Sequence, residues 1–168
     1  MSLANLHMPY AMSVPKVKSC ENVTIFVAIM STGDKAAYLQ RRALRNTYLK
    51  QAKQLNILHK FFIGTSNTSR KDLLTKEMYA HDDLVFINTV DTYANNTLKW
   101  NAMHQYHQSF CKEAFFFMKL DDDVVVHFER LILWLERDFG GLTTNKTDWL
   151  VCYRIHGVKP NRDPHNKW

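Results

Sequence analysis

Three adjacent carboxylates, Asp121, Asp122 and Asp123, stand between the apolar run Ala114–Met118 and the valines Val124–Val126. Neighbouring like charges repel, and Lys119 is the one cation close enough in the chain to offset them. A divalent cation removes that cost. Mg²⁺ and Mn²⁺ favour hard oxygen ligands, need only one or two protein carboxylates, and take the rest from water and substrate phosphate. The triplet therefore fits a metal–diphosphate site, where the metal acts as a Lewis acid on a departing phosphate oxygen. The same residues fit a solvated acidic turn capping a helix that begins near His127, where carboxylates gain about 0.3–1 kcal/mol. Spacing alone leaves both readings open.

Arg41 and Arg45 lie four residues apart, on one face of any helix, where like charges cost about 0.2–0.5 kcal/mol. A bound anion would relieve this, and a solvated basic face is the alternative. Asp91, Tyr93 and Lys99 could frame a pocket, or serve as helix cap and packing. His104 and His107 share a helix face and are either metal ligands or surface histidines. No glycine-rich phosphate loop or Cys-x-x-Cys pair is present, and no nucleophile–histidine arrangement can be argued. Cys20, Cys111 and Cys152 are an odd number, so at least one is unpaired within the chain. Asn22, Asn67, Asn95 and Asn145 each begin an Asn-x-Ser/Thr sequon and are candidate glycosylation sites, which suits a luminal protein. The net charge of +6 suits a polyanionic ligand, but no aromatic interleaving marks a nucleic-acid platform, and no nucleic-acid partner is expected.

The elements that must position these residues follow from the patterning. Val23–Met30, Ile57–Ile63, Leu84–Ile87 and Ala114–Met118 read as short buried strands. Helices fit Lys35–Lys50, Ser69–Ala80, Thr92–Lys112 and the segment from about His127 to Phe139, which Gly140 and Gly141 would end. Trp149–Ile155 could be a last strand. Strand and helix alternate four times, which predicts a parallel sheet covered by helices, with ligands at the carboxyl ends of strands. The triplet lies at one such end. No apolar run approaches the 18 residues of a membrane helix. Met1–Ser19 carries no apolar signal core and reads as a flexible tail.

Several collinear segments resemble one family. Arg41-Arg-Ala-Leu-Arg-Asn-Thr-Tyr48 resembles the first-helix motif of the β-1,3-galactosyltransferase family, where an arginine pair leads to Arg-x-Thr-Trp. Phe61-Phe-Ile-Gly64 is similar to its second-strand signature, and Glu77 with Asp83-Leu-Val-Phe86 to its acidic helix and following strand. Asp91-Thr-Tyr-Ala-Asn-Asn-Thr-Leu-Lys99 resembles Asp-Ser-Tyr-x-Asn-Leu-Thr-Leu-Lys. Cys111 and Lys119-Leu-Asp-Asp-Asp-Val-Val-Val126 resemble the aspartate block, and Arg162 with Lys167-Trp168 the Arg-Asp…Lys-Trp segment. Tyr48 and Val125 depart from the family's Trp and Phe.

The resemblance implies an α/β protein of the A-type glycosyltransferase fold, a Rossmann-like three-layer α/β/α sandwich. Residues 1–20 would be a stem-like tail and 21–168 the nucleotide-sugar-binding part. It further implies transfer of a hexose, galactose or an N-acetylhexosamine, from a UDP-sugar to a glycan acceptor in β-1,3 linkage with inversion. Mn²⁺ is the implied cofactor and the Golgi lumen the implied location. Asp123 would bind the metal, Asp122 the nucleotide-sugar with Asp121 in support, and Arg41 or Arg45 would lie near the nucleotide. The family's catalytic base comes from a Glu-Asp-Val motif, and a later histidine completes its metal site. Both follow the Lys-Trp segment. The sequence stops at Trp168, so the expectation is a C-terminally incomplete fold with weak or absent transfer. A non-catalytic partner or regulator of a longer relative is the alternative.

Overall fold

The computed structural model describes residues 10–13, 20–65, 71–139, 150–152 and Gly157. Strand β1 is Met12–Ser13, β2 Ile25–Ser31, β3 Ile57–Thr65, β4 Leu84–Val90 and β5 Phe116–Asp121. Helix α1 is Lys35–Asn46, α2 Lys71–His81, α3 Asn96–Phe110 and α4 Phe128–Phe139, with short 3₁₀ segments at Tyr48–Leu55 and Tyr93–Asn95.

Strand residues alternate between the two faces of the sheet. Ile25, Val27 and Ile29 of β2 join Phe61 and Ile63 of β3 on one face, beneath Leu44 of α1, Leu49 and Ala52 of the 3₁₀ segment, and Phe128 and Leu135 of α4. Leu74 and Met78 of α2 pack against the same face. Phe26, Ala28 and Phe62 point the other way, under Ala102, Met103 and Tyr106 of α3. Helices thus cover both faces of the sheet, giving the three α/β/α layers that the family resemblance implies. Tyr106 stacks on Phe26 and meets Phe62 edge-on, with ring centroids 5.3 and 5.6 Å apart.

The sheet order is β1-β4-β3-β2-β5. β2 runs parallel to both β3 and β5, and β3 parallel to β4. The chain steps outward from β2 to β3 and β4, then returns across the sheet to place β5 on the other side of β2. The carboxyl ends of β2 and β5 therefore flank a topological switch point, where open α/β sheets bind ligands.

Four details differ from the sequence expectation. Part of the expected tail joins the sheet: Met12–Ser13 pairs antiparallel with β4, and the Tyr10 hydroxyl donates to Asn101 Oδ1 of α3. Helix α1 stops at Asn46 rather than near Lys50, because the Thr47 hydroxyl turns back onto the Ala43 carbonyl at 2.8 Å and competes with helix continuation. The chain then tightens into a 3₁₀ turn that Asn56 closes at φ 53°, a conformation Asn tolerates. Strand β5 runs on to Asp121, so the first aspartate belongs to the sheet. Of the suggested last strand, Leu150–Cys152 carries no regular structure, and its other residues lie outside the described ones.

Cys20 and Cys111 form a disulfide that ties the approach to β2 to the end of α3, 91 residues apart. Cys152 is the unpaired cysteine and is exposed. Replacing Cys111 with Ser is expected to cost about 2–4 kcal/mol of stability. Thermal melts of the variant, and of the native chain with and without reductant, check this.

Candidate functional site

Asp121 ends β5, and Asp122 and Asp123 turn away from the sheet beside the end of β2. Strand pairing sets Met30 opposite Asp121, so Ser31 meets the next aspartate. Its hydroxyl donates to Asp122 Oδ2 at 2.7 Å. Asp122 is half-buried, whereas Asp121 and Asp123 are exposed. Asp121 pairs with Lys119 at 2.6 Å, the cation noted beside it in the sequence. Burial pushes the Asp122 carboxyl above its ordinary value; the Ser31 hydrogen bond and the Arg41 charge oppose this, and the nearby Asp123 charge adds to it. The turn is thus not a merely solvated cap.

Behind Asp122 lies a buried charge network. Arg41 has no solvent contact. Its Nη1 donates to Ser31 Oγ at 2.8 Å and to the Thr32 carbonyl at 2.6 Å. Its Nε and Nη2 grip the Glu77 carboxylate at 2.8 and 2.7 Å. Arg45 sits one turn further along α1, bridging Glu77 at 2.8 Å and clamping Asp83 at 2.7 and 2.8 Å. Its guanidinium also lies 4.9 Å from the centre of the Phe61 ring. His59 reaches Asp83 at 3.3 Å. Neither arginine forms the solvated basic face suggested as an alternative. Four of the five N–H groups of Arg41 are engaged inside the protein.

A second buried pair braces Ser31 from the other side. Lys99 Nζ donates to the Ser31 carbonyl at 2.6 Å and to Asp91 Oδ1 at 2.5 Å. Asp91 Oδ1 also accepts the Gly64 amide at 3.1 Å, and Asp91 Oδ2 is buried without a partner. Asp91 therefore ties the carboxyl ends of β2, β3 and β4 together instead of capping α3. Gly64 admits this approach, since a Cβ there would sit 2.5 Å from Asp91 Oδ1. Tyr93, expected to pack, is 56% exposed. Tyr48 explains one departure from the family pattern. Its ring packs on Phe128, and its hydroxyl donates to the Val124 carbonyl at 3.0 Å, so it holds the loop after the triplet.

The remaining candidates fall elsewhere. His104 stacks on Trp100, and both His104 and His107 pack against Phe117. Among the described residues no three His, Cys, Asp or Glu side chains are grouped to hold a metal. Asp122 and Asp123 stand side by side in the turn, a pair of hard oxygen donors that would fit an ion taking its other ligands from phosphate and water. Asn22 is exposed in a turn at φ 64°, and Asn95 Nδ2 donates to the Val90 carbonyl at 2.9 Å. Asn67, Asn145, Arg162, Lys167 and Trp168 lie outside the described residues. Sequence reasoning missed Ser31 as a contact of the triplet. The available signal was a hydroxyl residue directly ending an apolar strand run.

The fold is that of an A-type glycosyltransferase domain. The sequence matches the family model described as Galactosyltransferase over residues 39–168, and the chain belongs to that family. It is 28% identical to lactosylceramide 1,3-N-acetyl-beta-D-glucosaminyltransferase B of Danio rerio, over 89% of this chain and 41% of that protein. It is 29% identical to beta-1,3-galactosyltransferase 9 of Homo sapiens, over 98% of this chain and 44% of that protein. It is also 29% identical to human N-acetyllactosaminide beta-1,3-N-acetylglucosaminyltransferase 3, over 77% of this chain and 36% of that protein. The chain thus spans about two-fifths of the length of the relatives it matches.

Glu77→Ala leaves the Arg41 charge buried without its main partner, and a loss of about 3–5 kcal/mol is expected in denaturant unfolding. The pH dependence follows from the same network. Burial alone would raise the Glu77 carboxyl, but hydrogen bonds and charge from Arg41 and Arg45 outweigh it and hold it below its ordinary 4.5. Asp83 is likewise raised by burial, but His59 and Arg45 hold it well below the usual carboxylate range. A depressed carboxyl contributes stability above its unfolded value and loses it as pH falls through its folded value. The melting temperature should therefore lose the contribution of these pairs as pH falls below about 4.5, and a series of melts from pH 7 to 3 reads it.

Proposed function

We propose that this chain is the donor-binding part of a glycosyltransferase that uses a UDP-sugar and Mn²⁺. The transfer is of a hexose, galactose or an N-acetylhexosamine, to a hydroxyl of a glycan on glycoprotein or glycolipid, in β-1,3 linkage with inversion. The observation that carries this is the position of Asp121–Asp123, at the carboxyl end of β5 beside the end of β2, where the sheet reverses its order. Family membership supports the reaction class, and the linkage and range of sugars proposed are those that the relatives' names carry.

Asp123 is the exposed metal ligand in this reading. Asp122 is the half-buried carboxylate toward metal and nucleotide-sugar, and Asp121, neutralised by Lys119, supports the turn. Mn²⁺ would offset the charge that Asp122 and Asp123 bring together, and would neutralise the leaving diphosphate. Arg41 acts at one remove: its donors are spent on Ser31, Thr32 and Glu77, so it supports the carboxylates more than it meets phosphate. The Cys20–Cys111 disulfide suits an oxidising compartment, which supports a Golgi-luminal location, with Asn22 on its exposed turn as the favoured glycosylation acceptor.

Titration calorimetry with UDP and Mn²⁺ tests the reading. Saturable heat is expected in the native chain, and a loss of at least about tenfold in affinity in Asp123→Ala. Absence of heat, or equal affinity in the variant, removes the donor site.

A further inference from the structure

Ser31 is 2% exposed, and two buried cations converge on it. Arg41 holds its side chain and Lys99 its carbonyl, at 2.8 and 2.6 Å. A serine hydroxyl carries one proton and two lone pairs. Arg41 Nη1 has no lone pair to offer, so Ser31 Oγ must accept there. Its single proton then has one destination within reach, Asp122 Oδ2 at 2.7 Å. The direction of the hydrogen bonds is fixed along the whole chain from Glu77 through Arg41 and Ser31 to Asp122.

From this we infer that Ser31 is a positioning residue whose hydrogen bond to Oδ2 fixes the orientation in which the Asp122 carboxylate meets metal and nucleotide-sugar. The inference rests on the donor-site reading above. A free aspartate can grip a cation with both oxygens or swing between neighbours. Held by Ser31, the Asp122 carboxylate is kept at a fixed angle, and the other coordination positions of the ion would be left to diphosphate and water. The buried pairs Arg41–Glu77 and Lys99–Asp91 keep Ser31 from turning, so the carboxylate is set before ligand arrives.

Ser31→Ala removes the hydroxyl and little volume. The probes are Mn²⁺ and UDP. Free Mn²⁺ is counted by electron paramagnetic resonance during titration, and the spectrum of the bound ion is recorded at saturation. The native chain is expected to bind Mn²⁺–UDP, and Ser31→Ala to bind it about tenfold more weakly, as for loss of one hydrogen bond to a charged group. The bound-ion spectrum should change as the Asp122 carboxylate loses its fixed orientation, while thermal melts confirm a folded variant. Ser31→Thr, which keeps the hydroxyl, should retain the native spectrum. Unchanged affinity in Ser31→Ala overturns the inference. So does weaker binding with an unchanged spectrum, because a merely structural serine would do that. A native chain that binds no Mn²⁺–UDP overturns the donor-site reading and this inference together.

Discussion

A guanidinium with no solvent contact must find its hydrogen bonds and a counter-charge inside the protein, and Arg41 engages four of its five N–H groups there by drawing four segments together. Glu77 comes from α2, the Thr32 carbonyl from the loop after β2, Ser31 from the end of β2, and Asp122, through Ser31, from the turn after β5. Removing charge from water costs several kcal/mol per ion, so such a pair contributes little net stability compared with apolar packing. It does impose geometry. An apolar side chain in its place could slide or repack, whereas a bidentate arginine–carboxylate pair has one low-energy arrangement. The cost of burying Arg41 is thereby converted into a fixed position for the carboxyl end of β2.

The same logic recurs on the other side of Ser31. Lys99 has a nearly buried side chain and satisfies itself on a strand-end carbonyl and on Asp91, which in turn holds the Gly64 amide. The carboxyl ends of three parallel strands are therefore laced by ions at the level where the strands stop pairing. Their opposite ends are held differently, by the Cys20–Cys111 disulfide, the apolar packing around it and the Arg45–Asp83–His59 cluster. Apolar layers make the sheet; charge sets the rim at which a ligand would bind.

Most of the sheet was legible from the sequence, because buried parallel strands read as short apolar runs and the helices between them carry amphipathic spacing. The aspartate triplet was legible for the same reason: charge directly after such a run must lie at a strand end. The role of the arginines was not. A four-residue spacing says that Arg41 and Arg45 share a helix face, but not whether that face meets water or Glu77, 36 positions from Arg41 along the chain. Nor could spacing show that Asp91 would turn from a helix cap toward Lys99 and Gly64. Such pairings depend on which strand ends lie side by side, and that is a property of sheet order rather than of local pattern. Tyr48 was visible only as a departure from the family motif. Its hydroxyl contact with the Val124 carbonyl gives the polar end of the ring its own task.

The site also has an asymmetry that bears on how it would meet a ligand. Its inner half is complete, with Asp122 held on one oxygen and Ser31 braced on two sides. Its outer half is two exposed carboxylates, one of them neutralised by Lys119. Two protein carboxylates cannot by themselves satisfy an octahedral ion, so the remaining positions must be filled by groups that arrive with the ligand. Selectivity at such a site would come from the ligand's own diphosphate, which would bring the missing oxygens. A rigid inner wall and an unfilled outer one are what that requires. Loss of rigidity in the wall would therefore weaken the metal and the nucleotide together, because each completes the other's site.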